Sequence, residues 1–232
     1  MNMDHSIGRP ERRFQDPGEI DPRLWEELGT RDPDEICLRA AVRFEREQGC
    51  YLVPFLNRRY GVFPGTRLIK RQDARGRGDL SFQLCLVLLT YLLRAQSLAL
   101  SGRMVAGAEL RGGSFFFRGP HALFTGPLER RFGSNPEGFL GAGLRLGGDK
   151  TDFGQASFRL WPFPRIPLGY ILWSGDDEFP ARVVVAFDPS VMEHLPLDVV
   201  WALVNEVGRA LLNEAKSSAQ GAEGRCHRML DR

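Results

Sequence analysis

Cysteine is scarce in this chain and never closely spaced. Cys37, Cys50, Cys85 and Cys226 form no C-x-x-C pair, so no zinc ribbon or four-cysteine cluster segment is locally encoded. Cys37 and Cys85 fall among apolar residues of predicted helices, where a buried thiol is the usual outcome. Lysine is almost missing, with Lys70, Lys150 and Lys216 the only three. Arginine suits bidentate contacts to carboxylate or phosphate, but a biased genome writes the same excess. With 31 Lys and Arg against 29 Asp and Glu, the net charge neither demands nor excludes a polyanionic partner. The opening MNMDHSIGRPERRF has no apolar h-region, so no secretory signal is expected and the expected location is cytoplasmic. The one run resembling a membrane span has an apolar heart only from Leu84 to Leu93, interrupted by Thr90, against the ~20 residues needed to cross a bilayer. No G-x-S-x-G, H-E-x-x-H or Walker loop is present. GAGLRLGGD has the glycine density of a phosphate loop, but its glycines are misplaced for a dinucleotide fingerprint and no strand is read before it.

What is present describes one α+β domain. A 43% hydrophobic share in 232 residues is enough for a sizeable core. Residues 1–31 read as a disordered or loosely ordered segment with a short helical turn at Leu24-Trp25, residues 32–216 as the domain, and residues 217–232 as a frayed tail. Asp32-Pro33-Asp34-Glu35 is a helix start, with Asp32 as N-cap and Pro33 at N1. Ile36, Cys37, Ala40, Ala41 and Phe44 then share a helical face that would run on to Gly49. CYLVPFL, YGVFP and TRLIK read as an antiparallel meander. The basic stretch KRQDARGRG has no interleaved aromatics, so nucleic acid is the least favoured partner. DLSFQLCLVLLTYLLRAQSLAL is the central buried helix, with Asp79 as its expected N-cap. Short helices are read up to Phe132-Gly133 and from Pro136 to Leu144. An amphipathic helix follows Pro196, with Val200, Leu203, Val204, Val207 and Leu211 on its apolar face. The fold class is α+β, a mainly antiparallel sheet packed on the central helix and the C-terminal amphipathic helix.

The best candidate site is the hairpin RIPLGYILWSGDDEFPARVVVAFD, Arg165 to Asp188. Its greasy strands are joined by a connection longer than the usual two to five residues, with three consecutive acids. Asp176, Asp177 and Glu178 suit a hard cation, an internal arginine or a basic partner, and turn chemistry at Ser-Gly-Asp also accounts for them. Three adjacent acids cannot all face one ion, which weighs against metal. Arg165 sits between Pro164 and Pro167 in WPFPRIPLGY, a stretch whose prolines confine it to an edge, a strand start or an extended lead-in. It is an anion contact or a packing partner for Trp161 or Phe163. The favoured holders of Asp176 and Glu178 are Arg165 or Arg182. His121 lies in a glycine-framed aromatic cluster; it is a candidate acid or base, although a lone histidine is more often structural. His194 and Asp198, at i,i+4, read as local helix-end electrostatics.

The order of ELRGGSFFFRGPHALFTGPLERRFG, then FPRIPLGYILWSGDDEFPARVVVAFD, then LPLDVVWAL resembles domain-of-unknown-function family 3786 over about residues 35–215. Trp173, Gly175, Asp176, Glu178, Phe179 and Pro180 carry the most specific part, W-x-G-D-x-E-F-P. The resemblance implies an uncharacterised family of bacteria and archaea, largely anaerobes, with no catalytic residues to carry over. Some relatives join the domain to a cysteine-rich segment like that of corrinoid iron–sulfur proteins, which links it by association to corrinoid or one-carbon metabolism. That segment is not in this sequence. Two functions are expected. One is a binding or accessory module using Gly112 to His121 and the acidic hairpin, with Trp173, Arg165 and Arg182 around it, to hold a partner protein or a small-molecule cofactor of unknown identity. The other is an enzyme pairing His121 with Asp176 or Glu178.

Overall fold

The structure is a computed structural model that describes residues 20–72 and 80–227, with side chains to Lys216. Two antiparallel sheets meet around one helix. The first is the expected meander, flanked by one extra strand: β1 (Arg43–Glu45), β2 (Cys50–Phe55), β3 (Arg58–Phe63) and β4 (Leu68–Arg71), paired in chain order. Before it come α1 (Pro22–Thr30) and α2 (Pro33–Ala40), each with Pro at its start and an aspartate cap. Asp32 accepts from the Asp34 amide at 3.0 Å, as the sequence motif requires. The turn expected at Leu24-Trp25 is a nine-residue helix with Trp25 and Leu28 buried. One expectation fails. The helix from Asp32 stops at Ala40, Ala41 is left-handed (φ 53°), and Phe44 belongs to β1. There Phe44 packs on Tyr51 across the strand pair, ring centroids 4.7 Å apart. Cross-strand aromatic packing outweighs a helical pattern that α2 itself does not need.

The apolar run forms α3 (Phe82–Arg94), buried at Leu84, Cys85 and throughout Val87–Leu93. Its N-cap is Ser81, whose hydroxyl accepts from the Leu84 amide at 3.0 Å; Asp79 and most of the basic loop lie outside the described residues. The Tyr91 hydroxyl donates to the Ala40 carbonyl at 2.7 Å, fastening α3 to the end of α2. No helix among the described residues is long and apolar enough to cross a membrane.

The second sheet has the order β5-β9-β8-β7-β6, from β5 (Val105–Ala106), β6 (Asp149–Thr151), β7 (Ala156–Phe163), β8 (Ile166–Trp173) and β9 (Arg182–Phe187). Short helices α4 (Gly113–Phe116), α5 (Gly126–Phe132) and α6 (Pro136–Arg145) fill the long connection between β5 and β6. After β9 come α7 (Val191–His194) and the long α8 (Leu197–His227), which begins one residue after Pro196 and continues beyond Lys216. The proline-rich WPFPRIP segment is not a sheet edge. β7 and β8 are both interior, and the prolines survive because the ladder avoids them. Pro162 sits in the register irregularity between Leu160 and Phe163, and Pro167 precedes Leu168, where pairing with β9 begins. No inter-strand N–H is needed at either place.

The two sheets join at aromatic rings. Phe163 stacks on Tyr91 at 4.0 Å and meets Phe55 edge-on at 5.3 Å, while the Leu56 amide donates to the Pro162 carbonyl. Helix α6 lies on β7 with Gly143 against the ring of Phe158; a Cβ there would come within 2.5 Å of it. Phe158 is fully buried and cannot yield. Gly143→Ala is therefore expected to destabilise the fold by about 1–3 kcal/mol through overpacking, read as a lower urea midpoint with unchanged slope.

Candidate functional site

The hairpin of β8 and β9 ends in an organised acidic tip. The ladder closes at Trp173 opposite Arg182, and the chain then loops through residues 174–181. Asp176 builds this loop. Its carboxylate accepts from the Glu178 and Phe179 amides at 2.9 and 2.7 Å, while its own amide donates to the Phe179 carbonyl. Those backbone hydrogen bonds, Phe179 first and Glu178 second, hold its carboxyl below the ordinary aspartate range. Gly175 is needed because a Cβ there would lie 2.8 Å from the Ala181 nitrogen. The base of the loop is anchored on both sides. The Ser174 amide donates to the Gln155 side chain, and the Val183 amide to Glu129 of α5. Trp173 (49% exposed) and Phe179 (66%) project from this frame, and Phe153 in the neighbouring β6–β7 turn is also exposed. Asp177 and Glu178 are exposed as well, and neither forms an ion pair with a described residue.

The expected arginine partners are elsewhere. Arg165 lies in the β7–β8 turn, at the other end of β8 from the acidic loop. Its guanidinium donates to the carbonyls of Leu38 and Arg39 and to the Ser97 hydroxyl, all at 3.2–3.3 Å. It caps the carbonyl end of α2, which carries the negative end of the helix dipole. Arg182 is exposed at the first position of β9 and holds neither acid. The partner of Asp176 is its own backbone: the turn chemistry expected at Ser-Gly-Asp is realised as an Asx turn, and the favoured arginine partners are not used.

His121 is exposed at the end of the single turn Gly119–His121. Its ring stacks on Phe116 at 4.7 Å and meets Trp201 edge-on at 5.5 Å; the Trp201 indole donates to the Ala122 carbonyl. Nearby Phe117 stacks over Phe187, the last residue of β9. The acidic loop precedes the first residue of β9, so the strand separates the two places by roughly 16 Å at ~3.3 Å per residue. The acid/base pairing of His121 with Asp176 or Glu178 is not assembled. Among the described residues, clefts of about 410 and 490 Å³ indent the surface, and neither of these is lined by His121 or the acidic loop. Among the described residues no three His, Cys, Asp or Glu side chains are grouped to hold a metal ion.

Two buried polar groups have roles that were not expected from the sequence. Asp188, in Phe-Asp-Pro-Ser, accepts from the Ser101 amide, the Ser101 hydroxyl and the Ser190 amide. His194, read as local helix-end electrostatics with Asp198, is buried, and its Nδ1 accepts from the Gln96 amide at 3.1 Å. Together with Arg165 on Ser97, they pin the coil that follows α3. Asp188 was findable from its position before Pro-Ser; the partner of His194 was not, being 98 residues away.

No curated protein and no solved structure matches the chain. The family described as Domain of unknown function (DUF3786) matches residues 32–210, from the cap of α2 through the buried stretch of α8 and including the whole W-x-G-D-x-E-F-P tip. The match takes in well over half of the sequence, and the chain belongs to the DUF3786 family.

Proposed function

We propose that this protein is a binding module whose contact surface is the tip of the β8–β9 hairpin, and that its partner presents a basic segment. The observation that carries this reading is the exposure of Trp173 and Phe179 on a loop too well braced to fold them away. Large aromatics held rigidly in water bring contact area at little entropic cost, and the faces of their rings attract arginine or lysine. Asp177 and Glu178, without internal partners, complement the same cations and favour fast encounter. Asp176 is spent on shaping the loop. The glycine–aromatic segment at His121 belongs to a different surface, so the tip acts alone. The enzyme reading loses its support because its acid and base sit at opposite ends of β9.

A labelled oligoarginine peptide titrated by fluorescence anisotropy tests this. Binding is expected at low salt and should weaken as salt screens the rim charges. Trp173→Ala with Phe179→Ala should reduce affinity at least tenfold, about 1.4 kcal/mol, with no change in thermal stability, since both side chains are solvent-exposed. Asp177→Asn with Glu178→Gln should slow association. If the aromatic double variant binds as tightly as the parent protein, the tip is not the contact surface.

A further inference from the structure

The glycine–aromatic segment that the hairpin tip leaves unused is a second contact surface, and its chemistry complements that of the tip. Phe115 is 83% exposed, a larger fraction than either Trp173 or Phe179. An apolar side chain of this size held in water marks an interaction site when other rings adjoin it. The next residue, Phe116, stacks on the exposed His121 ring, which meets Trp201 edge-on. The local frame keeps these rings at the surface. Gly113 starts α4 so close to the preceding turn that a Cβ there would collide with the Gly107 carbonyl oxygen. The Phe117 amide closes α4 on the Gly113 carbonyl at 3.0 Å, and the Trp201 indole ties the following turn to α8.

The charge of this surface has one sign. From Gln96 to Leu128 the only acid is Glu109, and its carboxylate is taken by the Ala106 amide at 2.8 Å. Arg111 is exposed, and the half-exposed Arg118 places its guanidinium 5.8 Å from the centre of the Phe115 ring. Neither arginine forms an ion pair with a described residue. The tip has the opposite inventory, two exposed rings with Asp177 and Glu178 unpaired beside them. The length of β9 separates the two surfaces, so the tip of one chain does not reach the arginines of the same chain.

We propose that the basic partner of the tip is a second copy of this chain, an inference that rests on reading the tip as a contact surface. The acidic tip of one copy docks on the Phe115–His121 surface of the next. Asp177 and Glu178 meet Arg111 and Arg118, and Trp173 and Phe179 pack against Phe115 and His121. Aromatic and arginine anchors of this kind carry most of the energy in small interfaces. Because the contact joins unlike surfaces, every added copy leaves one tip and one docking surface free. Assembly then propagates into a ring or an open chain and does not stop at a symmetric dimer.

Sedimentation velocity of the full chain at rising protein concentration tests this. The average sedimentation coefficient should climb with concentration, and climb less in high salt. Phe115→Ala with Arg111→Glu and, separately, Trp173→Ala with Phe179→Ala should each weaken association at least tenfold. Melting temperatures should not change, because every altered side chain is exposed. The decisive sample mixes the two variants. The intact tip of the first fits the intact surface of the second, so the mixture should form a one-to-one pair that grows no further. Oligoarginine should compete for the tip and dissolve the assemblies of the parent protein. A parent protein that stays monomeric at every concentration, association that survives either variant, or a mixture that remains monomeric would each overturn the proposal. In those cases oligoarginine binding that depends on Trp173 and Phe179 confines the failure to the choice of partner. Oligoarginine binding indifferent to both residues means that the tip reading itself has failed.

Discussion

Asp188→Ala is expected to remove about 3–5 kcal/mol of stability, a large part of the ~5–15 kcal/mol that holds a typical domain together. Asp188 is 2% exposed at the end of β9, and it is the acceptor for two amides and a hydroxyl. Truncation leaves all three donors without their partner, at about 1–3 kcal/mol for each that stays buried. Ser101→Ala, which removes one donor and leaves the carboxylate with two, should cost nearer 1 kcal/mol. Urea denaturation of the two variants and of the double variant measures the coupling, which is expected to be strong because the residues touch. A loss below about 1 kcal/mol in Asp188→Ala would mean that water replaces the carboxylate freely. The pH dependence has a definite sign. Burial raises the Asp188 pKa, but hydrogen bonds from Ser190 and Ser101 outweigh it and leave it below the ordinary value. A carboxyl depressed in the folded state stabilises fully above its unfolded pKa, near 3.9, and that stabilisation is lost as pH falls through the folded pKa.

The second large effect belongs to His194 and acts at milder pH. His194→Ala should cost about 2–3 kcal/mol at pH 7, from the cavity and from the orphaned Gln96 amide. Because Nδ1 is the acceptor in that bond, the neutral ring carries its proton on Nε2. Burial, and next the Arg165 charge, lower its pKa, while Glu193 and Asp188 act in the opposite direction. For a histidine depressed on folding, the unfolded chain binds the extra proton first. The contribution to stability is therefore complete above ~6.5, the unfolded pKa, and declines as pH falls through the window down to the folded pKa. Stability measured from pH 7.5 to 5 should fall in the parent protein. His194→Asn, which offers an acceptor that does not titrate, should flatten that slope. An unchanged slope in His194→Asn would assign the acid sensitivity to another group.

What could be read from residues alone was what neighbours in the chain decide. Asp32-Pro33 caps α2 because the cap needs only the next two residues. The apolar run becomes a buried helix because nothing else covers an all-round apolar surface. The meander follows from short β-rich runs separated by turns, and Pro136 starts α6. Asp176 in an Asx turn belongs to the same local class: of the two readings its residues leave open, turn chemistry holds and the arginine partner does not.

The other misreadings concern partners far away in sequence. Phe44 fits a helical face and is taken by β1 because Tyr51 waits across the strand pair. Of the places open to the prolines of WPFPRIP (an edge, a strand start or an extended lead-in), Pro167 takes the start of β8, and Pro162 fits within interior β7 because the irregularity at Leu160 to Phe163 relieves the pairing. Arg165 serves the end of α2, and His194 serves Gln96, each through contacts that no local spacing encodes. By itself, then, the sequence determined the fold class, the buried helix, the meander and the membership of the tip in a specific motif, since those rest on periodicity, capping and residue order. Tertiary structure alone decided that His121 and the acidic loop sit at opposite ends of β9, and that Asp176 shapes its own loop while Trp173 and Phe179 stay in water. Those outcomes depend on which unsatisfied groups meet across the core, and chain-entropy and packing choose such meetings only when the whole domain has closed.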